Sequence, residues 1–146
     1  IEKVIEDQQV VHAYALCMPC VQQFQSQLSI GSRQTVRDWF EAHTRMGARI
    51  NALATRENRD PEAWIDACIS SGVPRAELDA YHLLAHARGA HLIFGAMPYL
   101  ISGACMTALQ ESLSEDTREA NCRFMEQLLG SPPQRATVAA KAALLV

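Results

Sequence analysis

Between residues 4 and 28 the apolar positions fit two different structures. Val4, Val11, Met18 and Gln25 recur at seven-residue intervals, and Val10, Cys17 and Phe24 do the same, which is the period of one long amphipathic helix. Pro19 stands against that helix, because an interior proline deletes a hydrogen bond and clashes with the preceding turn, costing about 3 kcal/mol. The other structure makes Val10-Val11-His12-Ala13-Tyr14 a short buried strand, turns over residues 15–17 and starts a helix near Met18. Proline then occupies the first helical turn, where its missing N–H costs nothing. This second reading is preferred, and the single helix stays open as its alternative.

Helical periods dominate the next stretch. Ser32 is expected to cap a segment through Val36, Trp39, Phe40, His43 and Met46, with Gln34 to Phe40 as an alternative strand. Asp60-Pro61-Glu62 is a helix start, a capping aspartate followed by proline, and Gly72 is expected to end that helix. Pro74 then opens another, with Leu78, Tyr81, Leu84 and Ala85 on its apolar face. Gly95-Ala96-Met97-Pro98 breaks the pattern, and Tyr99-Leu100-Ile101 is a β-prone run closed by Ser102-Gly103. The apolar run Leu92 to Leu109 has the length of a membrane span, but Gly95, Pro98, Ser102 and Gly103 interrupt it, so it reads as buried core. A last helix is predicted from about Glu115 to Leu129, ended by Gly130, with residues 131–146 a peripheral tail.

Composition narrows the class. At 146 residues, 49% hydrophobic and with a formal charge of −3, the chain reads as one domain over residues 1–146. No basic face is available for phosphate, so nucleic acid is not an expected partner. The opening Ile1-Glu2-Lys3 carries no secretory signal, as a mature, processed chain would not. Five cysteines are too few for a disulfide scaffold, and their odd number leaves at least one thiol unpaired.

Two of them make a motif, Cys17-Met18-Pro19-Cys20. A C-x-x-C pair serves zinc sites, redox dithiols or plain packing. Zinc needs further ligands, and His82 and His86 supply a helical spacing that would complete four. The redox reading rests on placement. If a strand ends before Cys17 and a helix starts after it, the first thiol meets unpaired backbone N–H groups and the positive end of the helix dipole, which favour thiolate. Cys20 falls on the same side one turn later and can close the disulfide. Cys17 is then the sulfur that attacks or is attacked, and Cys20 resolves.

The residues around this motif resemble a known family. Glu2-Lys3-Val4 and Gln9 through Phe24 are similar to the opening of the DsbA-like thiol–disulfide oxidoreductases, and Asp60 through Tyr81 is similar to that family's inserted helices. Phe94 through Gly103 resembles the family's segment in which a cis-proline precedes a strand and faces the dithiol. The resemblance implies an α/β, helix-rich thioredoxin-like fold with a helical insertion over about residues 32–93. It also implies a cis Met97-Pro98 peptide with Pro98 packed on Cys17 and Cys20, a last strand in residues 104–113, and Met18, Pro19, Met97 and His12 bordering the dithiol. Cys105 and Cys122, on that last strand and the closing helix, are then candidates for a structural disulfide, and Cys68 is core packing on an inserted helix. The family often buries an acidic residue beneath the dithiol, and Val11 stands at the matching place. The segment between Ser26 and Asn58 is shorter than the family's, so either Gln34 to Phe40 is its strand or that strand is missing.

The function implied is exchange of a Cys17–Cys20 disulfide with the cysteine pairs of substrate proteins, in the disulfide-forming direction. No metal or organic cofactor is needed. The expected partners are those substrates and a membrane protein that reoxidises the pair, the expected location is the periplasm or another exported compartment, and the expected state is a monomer. The rival classes are a non-enzymatic helical interaction module, with residues 4–28 as one kinked helix, and a zinc-binding structural protein. His82, His86, Arg88 and His91 are expected on a solvated helix face or as a polar rim for a partner.

Overall fold

The first two strands, β1 (Glu2–Glu6) and β2 (Gln9–Tyr14), form an antiparallel hairpin in a computed structural model that describes residues 1–55 and 60–129. The hairpin turn is Asp7-Gln8, both with positive φ (49° and 61°), the combination that matches the twist of two-residue hairpins. Strand β3 (Ala80–Leu84) pairs with the other edge of β1, and β6 (Tyr99–Ser102) pairs with β3. The resulting four-stranded sheet has the order β2-β1-β3-β6, and every pairing in it is antiparallel. A separate short hairpin, β4 (His86–Arg88) with β5 (His91–Ile93), projects beyond β3.

Helices lie between β2 and β3 and after β6. They are α1 (Met18–Gln27), α2 (Ile30–His43), α3 (Met46–Ala54), the single turn α4 (Pro61–Trp64), α5 (Gly103–Glu111) and α6 (Glu115–Leu129). The protein is therefore mixed α/β. Strand, turn and helix over residues 9–27 replace the single long helix that the interaction-module reading required.

The sheet is covered on both faces at β6, which is buried at every position and apolar from Tyr99 to Ile101. Leu100, Ile101, Met106 and Leu109 form the centre of the main core with Tyr81, Leu84 and Tyr99. A second cluster, Phe24, Leu28, Leu113 and Met125, joins α1 to α6, with the Phe24 and Phe124 rings 4.6 Å apart between centroids. Beyond β6, Cys68 bridges to Leu100 and the Ile69 N–H donates to the Leu100 carbonyl at 2.9 Å, so the outer edge of that strand is partly occupied.

Several expected elements changed. The strand at Val10 is not buried: β2 is an edge strand, Val10 and Val11 are exposed, and the register skips Val11, since Val4 faces His12 and Ile5 faces Val10. Ser29, not Ser32, caps α2, accepting from the Ser32 N–H at 3.0 Å, and Gln34 to Phe40 is helix, so no strand lies between α1 and α3. Asp60 caps α4 as its sequence indicated, but that helix stops at Trp64, and Gly72 serves a turn with φ 72°. After Pro74 only a 3-10 turn forms (Arg75–Glu77), and the run taken for an apolar helix face becomes β3. Helix therefore occupies the first part of the 32–93 segment and strands the last part. Residues 103–111 are α5 where the last strand was expected, because Ser102 caps a helix by accepting from the Cys105 N–H. The Gly130 stop and the 131–146 tail lie outside the described residues.

Candidate functional site

Cys17 is the N-cap of α1. Its backbone is extended (φ −76°, ψ 156°), Pro19 lies in the first turn, and the Val21 N–H closes that turn on the Cys17 carbonyl at 3.1 Å. Cys17, Met18 and Pro19 are exposed, Cys20 is half-buried, and the two sulfurs are 3.1 Å apart as free thiols. Proline at this place suits the helix start and holds the pair of cysteines one turn apart on the same side.

The pair is electrostatically unequal. Hydrogen bonds from the Cys20 thiol and from the Cys20 backbone N–H draw the Cys17 pKa down, and the same partnership raises that of Cys20, first through its hydrogen bond to Cys17 and then through the charge there. A thiolate on Cys17 beside a protonated Cys20 is the arrangement in which one sulfur attacks and the other waits.

Met97-Pro98 is a cis peptide immediately before β6, as the resemblance implied. Met97 shares a small recess with Leu16, Tyr14 and Glu2, which brings the proline loop beside the residue that precedes Cys17. On its other side Met97 borders a groove of about 660 Å³ lined by Leu28, Val36, Phe40 and Met46, with Arg33, Arg37 and Glu41. The loop itself is held by Arg49 on α3, whose guanidinium donates to the Pro98 carbonyl at 3.0 Å and to the Trp64 carbonyl, and lies 5.1 Å over the Trp64 ring. No spacing rule marks Arg49 in the sequence, since its partners are carbonyls brought in from the end of α4 and from the distant cis-proline loop. Arg49→Met keeps the stem and removes those donors; the expected loss is about 2 kcal/mol of stability. Faster amide exchange is expected at Gly95, whose N–H bonds the Met97 carbonyl across the loop at 2.8 Å, and both effects are read by hydrogen exchange with urea unfolding.

An acidic residue is buried in the sheet, although not at Val11. Glu2, 2% exposed on β1, accepts from the Tyr14 hydroxyl on β2 and lies 2.9 Å from Nδ1 of the fully buried His82 on β3. Directly opposite and diagonal positions of neighbouring strands put the three on one face. Burial, then the charge and hydrogen bond of Glu2, push the Tyr14 pKa far up, so its phenol remains a donor. His82 is therefore neither on a helix nor solvated, whereas His86, Arg88 and His91 are exposed on the β4–β5 hairpin. Strand geometry breaks the His82 and His86 spacing on which the zinc reading relied, and among the described residues no group of three or more His, Cys, Asp or Glu side chains is placed to hold a metal.

The remaining assigned residues divide. His12 is half-buried in β2 opposite Val4. Cys68 is core, as expected, but in the turn after α4. Cys105 and Cys122 are free thiols on α5 and α6, and the sulfur beside Cys105 is that of Cys68, at 4.0 Å, so the proposed Cys105–Cys122 bridge is not formed. Comparisons with protein-family models, with curated proteins and with solved structures returned no match to this chain.

Proposed function

We propose that the chain is a thiol–disulfide oxidoreductase of the DsbA-like, thioredoxin-related type, working through Cys17 and Cys20. The observation that carries this reading is the placement of an exposed Cys17 at the first turn of α1, its pKa lowered by a Cys20 whose own is raised. The cis-proline loop beside Leu16 supports it, and so does the apolar groove beyond Met97, which suits an extended protein segment. The wholly antiparallel sheet departs from the βαβ setting in which such motifs are usually met, so the family likeness rests on the local strand–dithiol–helix unit rather than on sheet topology.

In the oxidising direction a substrate thiolate attacks Cys17 of the disulfide, releasing Cys20 as thiolate and leaving a mixed disulfide. A second substrate thiolate then attacks the substrate sulfur of that bond and expels Cys17. The substrate has lost two electrons, and Cys17 and Cys20 have gained them. A lowered Cys17 pKa makes it the better leaving group and favours this direction. Substrate proteins with paired cysteines, reoxidation by a membrane partner, an exported oxidising compartment and a monomeric state complete the proposal.

The test is a redox titration against glutathione, read by alkylation of Cys17, together with the pH dependence of that alkylation. Thiolate is the reactive form, so the rate rises with pH through the Cys17 pKa. The half-maximum is expected below the range of about 8.5 found for an ordinary cysteine. A profile centred at or above that range, with no reversible Cys17–Cys20 disulfide, would overturn the reading.

A further inference from the structure

The main core contains a second pair of thiols that the exchange at Cys17 does not use. Cys68 is 2% exposed and Cys105 half-buried, and their sulfurs lie 4.0 Å apart. The Cys68 sulfur also sits where backbone donors converge, 3.3 Å from the Ser102 N–H and 3.5 Å from the Ser71 N–H. Burial pushes this thiol up, but the Ser71 hydroxyl and the N–H groups of Ser71, Ser102 and Ser70 outweigh it and bring the pKa down to about 7. Cys105 is in the first turn of α5, its N–H tied to the Ser102 hydroxyl at 3.2 Å, so one serine at the end of β6 touches both cysteines.

We propose that Cys68 and Cys105 are a second redox pair, which a disulfide of low molecular weight such as glutathione disulfide converts into an internal disulfide. Cys105 is the accessible member. Its thiolate attacks the small disulfide, forming a mixed disulfide and expelling one small thiolate. The Cys68 thiolate, held by its N–H donors, then attacks the Cys105 sulfur and expels the second. Two cysteine thiols are oxidised, one small disulfide is reduced to two thiols, and the protons of the cysteines end on the leaving thiolates. The sulfurs have to close from 4.0 Å to about 2 Å, a shift within reach of side-chain rotation at the half-buried Cys105. The bond closes a loop spanning 37 positions and fastens the turn after α4 to the start of α5, at the far end of β6 from Pro98. This pair stands whether or not Cys17 and Cys20 catalyse exchange.

The experiment uses the full chain carrying Cys17→Ser and Cys20→Ser, so that the first pair cannot deliver the oxidation. After incubation with excess glutathione disulfide and alkylation in denaturant, peptide mapping is expected to find Cys68 joined to Cys105, with a mass loss of two hydrogens and the alkylated Cys122 or its glutathione adduct elsewhere. The unfolding midpoint is expected to rise by about 5 °C or more over the reduced protein. Adding Cys105→Ser, a conservative change at a partly exposed position, is expected to abolish both effects. Recovery of Cys68 as a free thiol in the otherwise unsubstituted pair, or of Cys105 joined to Cys122, would overturn the proposal.

Discussion

Cys17→Ser is expected to reduce thiol–disulfide exchange by about 10³-fold or more, while Cys20→Ser is expected to preserve the first attack and stop the reaction there. The asymmetry follows from the site. Cys17 is exposed at the helix start and carries the lowered pKa; serine at that place has no accessible anion at neutral pH and no sulfur to bond. Cys20 is half-buried one turn on, with its pKa raised, so it is unsuited to attack a substrate but well placed to break a bond made at Cys17. Without it a mixed disulfide has no internal escape and accumulates. Non-reducing electrophoresis of Cys20→Ser protein incubated with a reduced, cysteine-paired substrate should show covalent adducts that dithiothreitol removes. Equal trapping by Cys17→Ser would reverse the assignment of roles, and trapping by neither would remove the catalytic reading altogether.

How much of this was legible in the sequence follows from the range of each interaction. The dithiol unit was readable because its determinants are local: a β-prone run, a short turn and a proline that tolerates only the first turn of a helix fix Cys17 at the N-cap. Asp60-Pro61 was readable for the same reason. The segment from Leu78 to Leu84 was not, since its apolar residues satisfy a helical period as well as a buried strand, and what decides is that β1 and β6 offer partners on both sides. Membership in the sheet then changes the chemistry of His82, which a helical reading left in solvent. Val11 was misplaced for a related reason: a skipped position in the hairpin register moves it out of the alternation that would have buried it. Arg49, Glu2 and the Cys68–Cys105 approach depend wholly on long-range packing, so no local pattern announces them.

The largest stability effect is expected at His82. Glu2 is 2% exposed and reaches only the Tyr14 hydroxyl and His82 Nδ1 among the hydrogen bonds described, so His82→Leu leaves the carboxylate in the sheet interior with one donor in place of two. Removing one member of a buried hydrogen-bonded pair costs about 3 kcal/mol, because the other is stranded rather than returned to water. Urea unfolding of His82→Leu should show an unfolding free energy lowered by that amount, seen as a lower midpoint with little change in slope. The companion Glu2→Met should also destabilise, by stranding Tyr14 and His82 together. The double variant separates a paired network from two independent losses: apolar groups of similar size on both strands leave neither partner of the Glu2–His82 bond stranded, so its total loss should be smaller than the sum of the single losses by about 1–3 kcal/mol. Strict additivity would mean that Glu2 and His82 do not interact, despite lying on one face of β1 and β3 with 2.9 Å between them.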